Sequence, residues 1–357
     1  MPVRAFRVKL PSAERYWTVV DDDSRVVREV DEYLRHLRFG QDAAESTTKA
    51  YAESLAHLSV LRSSQHGRRY VQGPGKECAM PEPLISNVAD TARWMAAYRA
   101  AESARHDALF NDPFAERLAG ERGHAIAAAA PRLTRNGWWW VTRTKLIDDL
   151  VAESVQNGCD RVLNLATGFD TRPYRLDLPA GTEWIEADLP EIINEKQRLL
   201  TGETARCRLS RVAVDLADTP SRSAFLADAT SGARDALVIT EGLLLYLNEQ
   251  QVCALADDLH RAEKVGWITD VIAPAIVRRM MRQMPSLNKA PMRFEPIDGV
   301  AFFERRGWTV GAIHSILKHA QRWKRLPTVL RPVAYLPEPN PRKLSHAPWS
   351  GVVRFQR

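Results

Sequence analysis

Residues 160–271 predict an α/β fold built on a doubly wound, mostly parallel sheet. Five short runs, 161–166, 183–187, 211–214, 236–240 and 267–271, are apolar and rich in β-branched residues, the signature of strands buried on both faces. Helix candidates separate them, as parallel pairing requires. Acids stand at the ends of three successive runs, Asp188, Asp215 and Glu241, on the edge where such sheets hold ligands.

The elements follow in order. In residues 1–63, alternating stretches 5–10 and 16–20 flank Pro11-Ser12-Ala13-Glu14 and predict a hairpin. Ser24 caps a predicted helix to Leu37, with Val26, Val27, Val30, Tyr33, Leu34 and Leu37 on one face; Gly40 ends it. Thr47 or Thr48 opens another helix toward Leu61. Residues 64–81, polar and rich in Gly and Pro, read as a linker. From residue 82 helical segments are expected at 88–103, 113–118 and 142–156, a helical cap ahead of the sheet, and the alanine run 125–130 also reads as helix. Within the sheet region Pro190 opens a helix to Leu200, and Asn248 with Gln251 forms a capping-box pair opening one to about Glu263. The runs 308–310 and 352–355 are expected as antiparallel strands closing the sheet edge.

Composition narrows the class. The 357 residues are 45% hydrophobic and 26% charged, with a formal charge of +6 and a pI near 9.2. Basic and acidic residues alternate along the chain, so the surplus reads as solvated surface and disfavours a nucleic-acid partner. Cys78, Cys159, Cys207 and Cys253 lie far apart, which argues against a disulfide framework or a zinc site and suits a reducing compartment. The N-terminus lacks the apolar core of a signal peptide, and no apolar run has membrane-spanning length. The expectation is a cytoplasmic protein without a membrane partner; nothing in the chain sets its oligomeric state.

The chemistry concentrates at Val162-Leu163-Asn164-Leu165-Ala166-Thr167-Gly168-Phe169-Asp170, an apolar strand running into a turn. Gly168 lets the backbone approach a ligand, although Ala166 and Thr171 replace the outer glycines of the dinucleotide fingerprint. Asp188 follows Gly168 by twenty residues, the spacing at which a carboxylate accepts from a nucleotide ribose. Asp215 suits an adenine amino group, with Leu216 against the ring. Acids are common in loops, so one alone would read as a turn residue; three in register read as a site. A nicotinamide oxidoreductase would use the same ribose acid, but its pyrophosphate needs close-packed glycines, and Asp170 adds negative charge at that turn. A sulfonium cofactor without phosphates, S-adenosyl-L-methionine, fits better.

VADTARWMAAYRAAES, LNLATGFDTRPYRLDLP, WIEADLPEIINEK, VAVDL and ITEGLLLYL occur in that order, followed by FFERRGWTV and PWSGV. This series closely resembles the leucine carboxyl methyltransferase-like family, including its mycobacterial-type members, over about residues 82–357. The resemblance implies a class I, Rossmann-like methyltransferase fold. It places cofactor contacts on Gly168, Asp188, Asp215, Leu216 and Glu241, matches Arg143 to the arginine that pairs with the methionine carboxylate, and has Arg99 assisting. Ala166-Thr167 departs from the small Gly-Ala pair of many members, and Thr167 is expected to tighten the turn. The implied reaction is methyl transfer to an oxygen, carboxylate or hydroxyl, of a small-molecule or peptide-carboxylate acceptor. A carboxylate needs no general base; a hydroxyl does, and the sequence identifies none.

The N-terminal stretches RVKLPSAERYWTVVDDD and EVDEYLRHLRFGQDAAESTTKAYAESLAHL resemble the arm and first helices of the core-binding domain of actinobacterial tyrosine recombinases. That resemblance stops near Leu61, and the catalytic Arg, His-x-x-Arg and Tyr pattern does not follow. Residues 1–79 carry 13 basic and 11 acidic residues, a weak balance for tracking phosphates. The expectation is a fusion or an over-extended start with Met80 as a native beginning; the alternative is a DNA-binding recombination accessory protein acting through residues 1–63.

Other features read as structure. His314 and His319, taken together on one helix, would point about 140° apart and share no metal. Trp138-Trp139-Trp140 cannot all face one way, so at least one is core. Tyr246 reads equally as substrate-facing or buried, and Met280, Met281 and Met284 as helix packing.

Overall fold

The computed structural model describes residues 3–9, 15–21, 31, 34, 85, 87–262, 264–284, 292–344 and 347–357. The chain divides into two compact units, Met1–Ala79 and Met80–Arg357. In the first, β1 (Val3–Lys9) and β2 (Arg15–Asp21) pair antiparallel from Val3 opposite Asp21 to Lys9 opposite Arg15, so the expected hairpin is present with longer strands. Its turn, the second expected helix and the linker lie outside the described residues; of the first helix only Asp31 and Leu34 are described, both helical.

The second unit opens with three helices, α1 (Val88–Ser103), α2 (Ala115–Ala129) and α3 (Trp138–Gln156). Asn87 caps α1, its side chain accepting from the Asp90 N–H. Strand–helix alternation follows: β3 (Arg161–Leu165), α4 (Arg172–Arg175), β4 (Glu183–Asp188), α5 (Pro190–Leu199), β5 (Arg208–Ala213), α6 (Thr219–Thr230), β6 (Ala236–Thr240), α7 (Glu249–Arg261) and β7 (Val265–Ile272). Then come α8 (Pro274–Gln283), α9 (Ala301–Glu304), β8 (Thr309–Ser315), α10 (Ile316–Arg322) and β9 (Ser350–Gln356). The capping box read from Asn248 and Gln251 forms at the start of α7.

Seven strands make one sheet in the order β5-β4-β3-β6-β7-β9-β8. The first five are parallel, and β9 and β8 close one edge antiparallel, as expected. Successive residues serve opposite faces: Val162, Leu237 and Ile239 enter one apolar cluster, while Leu163, Ala236 and Val238 enter another. Trp184 and Trp267, both 0% exposed, anchor the two clusters; truncating either to alanine would cost about 3–5 kcal/mol.

Two expectations need correction. β5 is not buried on both faces, because it is the sheet's outer strand; it starts at Arg208, and its solvent side carries polar residues. His314 and His319 do not share a helix: His314 lies on β8 and His319 on α10, with ring centroids 5.3 Å apart. Among the described residues no third His, Cys, Asp or Glu joins them as a metal-binding group. No described helix is long and apolar enough to cross a membrane.

The winding of the sheet reverses between β3 and β6, which both pair with parallel neighbours on opposite sides. Doubly wound sheets open a crevice at the carboxyl ends of such a strand pair. Produced alone, Met80–Arg357 is expected to unfold in one cooperative thermal transition; a chain without one would show that this unit depends on residues 1–79.

Candidate functional site

A cavity of about 290 Å³ lies at that crevice. All seven residues singled out by the sequence, Arg99, Arg143, Gly168, Asp188, Asp215, Leu216 and Glu241, line it. The structure brings them together but uses them differently.

At the end of β3, Ala166 and Gly168 both take left-handed backbone conformations, with φ of 53° and 50°. A Cβ on Gly168 would stand 3.3 Å from Ala92 Cβ on α1, so this glycine serves both the turn and the close passage of the helix. Ala166, in the place of a fingerprint glycine, holds the same geometry against the usual cost to an L-residue. Asp188, at the tip of β4, accepts from the Gly168 N–H at 2.7 Å and the Leu189 N–H at 2.8 Å, one on each oxygen. The twenty-residue spacing is thus a hydrogen bond in the structure. Each oxygen keeps a second lone pair for a ligand hydroxyl. Burial pushes the Asp188 carboxyl above its ordinary value, although both amides pull it back. The Val214 N–H donates to Asp188 O at 2.9 Å, setting the chain beyond β5 beside the tip of β4. There Leu216 is buried, and Asp215 is exposed, accepting from the Ala217 N–H at 2.8 Å.

Glu241 is not the free acid its position suggested. It accepts from Arg143 Nε at 3.0 Å and from Arg172 Nη1 at 2.8 Å. Arg143 also donates from Nη1 to Asp270 at 3.0 Å, while the other Asp270 oxygen takes the Gly242 N–H at 2.7 Å. Gly242 has φ of 68°, and a Cβ there would come within 3.4 Å of Arg143 Nη1. Arg99 is similarly engaged, donating from Nε to Asp112 at 2.8 Å and from Nη2 to the Phe169 carbonyl.

Asp170 corrects a second inference. Its charge does not stand open at the turn: Arg172 Nη1 donates to it at 2.6 Å and Asn164 Nδ2 at 2.7 Å. Arg172, 1% exposed, also reaches Asp148 from Nε at 2.7 Å. Thr167 turns its hydroxyl inward to accept from Asn164 and from Lys196, whose Nζ also donates to Glu186 at 2.6 Å. Burial alone would raise the Asp170 and Glu241 carboxyls, but the Arg172 guanidinium, joined by Lys196 at Asp170 and by Arg143 at Glu241, holds both below the ordinary range. Burial would likewise raise Asp112, and Arg99 and Arg175 hold it down.

Sequence reasoning missed Arg172, Asp270 and Lys196. An Asp-Thr-Arg triplet beside a glycine turn and an acid inside the apolar run Trp267-Ile268-Thr269-Asp270-Val271 were the available signals, since buried charges need partners. All three tryptophans 138–140 are buried; Trp139 and Trp140 line the cavity, and Trp139 Nε1 donates to Ser350 Oγ at 2.8 Å. Tyr246 and Met280 face the cavity too, the methionine serving more than helix packing.

A switch-point cavity with a glycine turn and an acid at ribose spacing is the kind of crevice in which doubly wound sheets hold nucleoside-bearing ligands. The sequence model of leucine carboxyl methyltransferase matches residues 92–260. A Frankia alni protein named as an S-adenosyl-L-methionine-dependent methyltransferase is 32% identical over 242 residues, spanning 62% of this chain and 82% of its own length. A second such Frankia alni protein is 36% identical over 239 residues, spanning 62% and 83%. The crystal structure of a DUF574 family protein from Streptomyces avermitilis aligns with a TM-score of 0.48 at 15% identity, covering 77% of this chain and 99% of that one. The chain is an S-adenosyl-L-methionine-dependent methyltransferase of the class I α/β fold. It belongs to the leucine carboxyl methyltransferase family. Nothing in these comparisons supports the recombinase resemblance or an oxidoreductase.

Two outcomes follow. Gly168→Ala is expected to cost about 1–2 kcal/mol, whereas Ala166→Gly, which relieves a left-handed alanine while loosening the unfolded chain, is expected to change stability by less than about 1 kcal/mol. Urea unfolding of both variants checks this, and equal losses would contradict it. The second concerns acid. Asp112, Asp170 and Glu241 have folded values below their unfolded ones, near 4, so the stability they contribute is complete above that range and is lost as pH falls through the folded values. The urea midpoint is expected to hold from about pH 8 to 6 and to drop below about pH 4; a midpoint that rises on acidification would refute the assignment.

Proposed function

We propose that this methyltransferase transfers its methyl group to an oxygen atom, carboxylate or hydroxyl, on a small-molecule or peptide-carboxylate acceptor. The observation that carries the reading is the convergence of the Gly168 turn, Asp188, Asp215 and Arg143 on one cavity at the β3–β6 switch point. Asp188 accepts from the ribose hydroxyls through its free lone pairs. Asp215 takes the adenine amino group, with Leu216 against the ring. Arg143 and Arg99, both on the cavity lining, direct their remaining guanidinium N–H groups toward the methionine carboxylate, and Glu241 holds Arg143 in place. When bound, the cofactor supplies a methyl carbon activated by positive sulfur.

The donor set suits that group. Asp188 and Asp215, the lining carboxylates that accept from backbone N–H groups and not from an arginine among the described residues, leave negative charge that favours a sulfonium and opposes a pyrophosphate. The oxygen acceptor rests on the family's own chemistry and on the economy of the step: the chain must align a nucleophile behind the methyl carbon and exclude water, as Trp139 and Trp140 at the cavity wall do.

Calorimetry with S-adenosyl-L-methionine and with NAD tests the site. Binding of the former alone is expected. It should weaken by about 1–3 kcal/mol, roughly fivefold to 150-fold, in Asp188→Ala, where a buried hydroxyl pair loses its acceptor. Equal affinity of wild type and variant would remove Asp188 from the site. For acceptor chemistry, a product methylated on nitrogen or sulfur would overturn the oxygen reading.

A further inference from the structure

The chain-wide charge of +6 hides an uneven distribution. Residues 273–349, the segment between β7 and β9, hold fourteen lysines and arginines against four acids, so the remainder of the chain is net acidic. The imbalance is steepest from Ile316 to Pro337, where five basic residues meet no aspartate or glutamate. That stretch comprises α10 and a 3-10 run, Thr328–Tyr335. Its inner side is fixed. Leu330 and Ala334 pack into the apolar cluster that also holds Ile272 and Met280 of the cavity wall. Lys318 Nζ donates to Ala334 O at 2.6 Å and to Leu336 O at 3.0 Å, and buried Arg325 is bound to Glu102 of α1 at 2.7 Å. The outer side is open: Val329, Val333, Tyr335 and Leu336 are 69, 46, 77 and 60% exposed. Gln321 Nε2 donates to Tyr335 Oη at 3.3 Å, which sets the end of α10 beside these side chains. Arg322, Lys324 and Arg331 on the same stretch are exposed and form no ion pair among the described residues. Lys324 takes the left-handed conformation that ends a helix, with φ of 58°, a place glycine usually fills.

We propose that this strap is a peripheral docking surface for an anionic lipid bilayer, its apolar side chains entering the headgroup region and its cations facing the lipid phosphates. The inference is independent of the methyl acceptor. Charge selects an anionic partner, since nothing on the stretch offsets the exposed cations. The apolar side chains select which anionic partner. A nucleic acid would use the cations but leave three aliphatic side chains against phosphate and water. A folded protein would need a groove shaped to the strap and acids placed opposite three separate cations. A bilayer needs neither, because its headgroups rearrange around a cationic surface with apolar tips. No spanning helix is required: a few buried apolar side chains plus attraction to anionic headgroups give reversible binding. The strap is also stiff. Pro327, Pro332, Pro337 and Pro339 each fix a backbone angle, so little conformational freedom is lost on docking.

The test is sedimentation of the full chain with two sets of vesicles, phosphatidylcholine alone and phosphatidylcholine mixed with phosphatidylglycerol. Partitioning onto the anionic vesicles is expected to be at least tenfold stronger in about 50 mM salt and to fall at least tenfold by about 500 mM. Arg322→Gln, Lys324→Gln and Arg331→Gln should each weaken it about fivefold. The pair Tyr335→Ser with Leu336→Ser should weaken it at least tenfold and leave its salt dependence unchanged. All these side chains are exposed, and an unchanged thermal midpoint checks the fold of each variant. Arg198→Gln and Arg234→Gln, at cations with side chains 71 and 84% exposed elsewhere on the chain, should change partitioning less than twofold. Equal binding to both vesicles, binding to neither, or an equal loss in these controls would overturn the proposal. Wild-type binding by the serine pair would reduce the contact to adsorption of charge and overturn it too. A salt-sensitive complex with a duplex oligonucleotide, and none with the vesicles, would assign the surface to phosphate tracking instead.

Discussion

Arg172 holds three carboxylates that belong to three different elements. Asp148 comes from α3, Asp170 from the turn after β3 and Glu241 from the tip of β6, and the arginine that joins them is 1% exposed. A guanidinium suits this post because its planar donors stay charged and can meet several acceptors at fixed angles. Removing one partner of such a buried group costs about 3–5 kcal/mol, since the others keep their desolvation penalty without its compensation. The cavity floor is therefore organised by charge neutralisation, and the apolar clusters on either sheet face supply the burial that makes the charges interact strongly.

The network extends in both directions from that arginine. Through Asp170 and Asn164 it reaches Thr167, Lys196 and Glu186, and Arg211 on the outer strand closes it at 2.8 Å from Glu186. Through Glu241 it reaches Arg143 and Asp270, which grips the Gly242 N–H. Strand tips from β4 to β7 are thus tied across the edge where parallel sheets have no hydrogen bonds left to make. The left-handed Ala166 persists because its neighbours over-determine it: its own N–H bonds to Ala187 O, and Thr167 and Gly168 beside it are both anchored.

Much of this was legible in the sequence, and what was not has a common cause. Inner strands such as 236–240 announce themselves because both faces are apolar, and the N-terminus of α7 because its capping pair is local. β5 read poorly because an outer strand alternates like any half-exposed segment. The glycine turn and Asp188 were readable from a spacing of twenty. Whether an acid is free or bound to a cation was not readable, because the decisive partners are remote: Arg172 lies 24 positions from Asp148, and Arg143 lies 127 from Asp270. Asp188, Asp215 and Glu241 look alike in one dimension. Folding makes the first a brace for the turn, leaves the second open to solvent and consumes the third in holding two arginines.

That difference bears on what the network does for the shape of the cavity. Displacement at carbon requires nucleophile, carbon and leaving sulfur in line, and a misplacement of about 1 Å can cost a hundredfold in rate. The cavity lining comes from several strand tips and helices, so its shape is only as constant as the bonds between them. Arg143 sits there on a helix of 19 residues, bonded to the tip of β6 through Glu241 and to β7 through Asp270. Loosening those bonds would leave each element intact while letting the strand tips and α3 drift relative to one another. The buried ion pairs at the β6–β7 edge are therefore best understood as a brace that fixes the outline of the cavity.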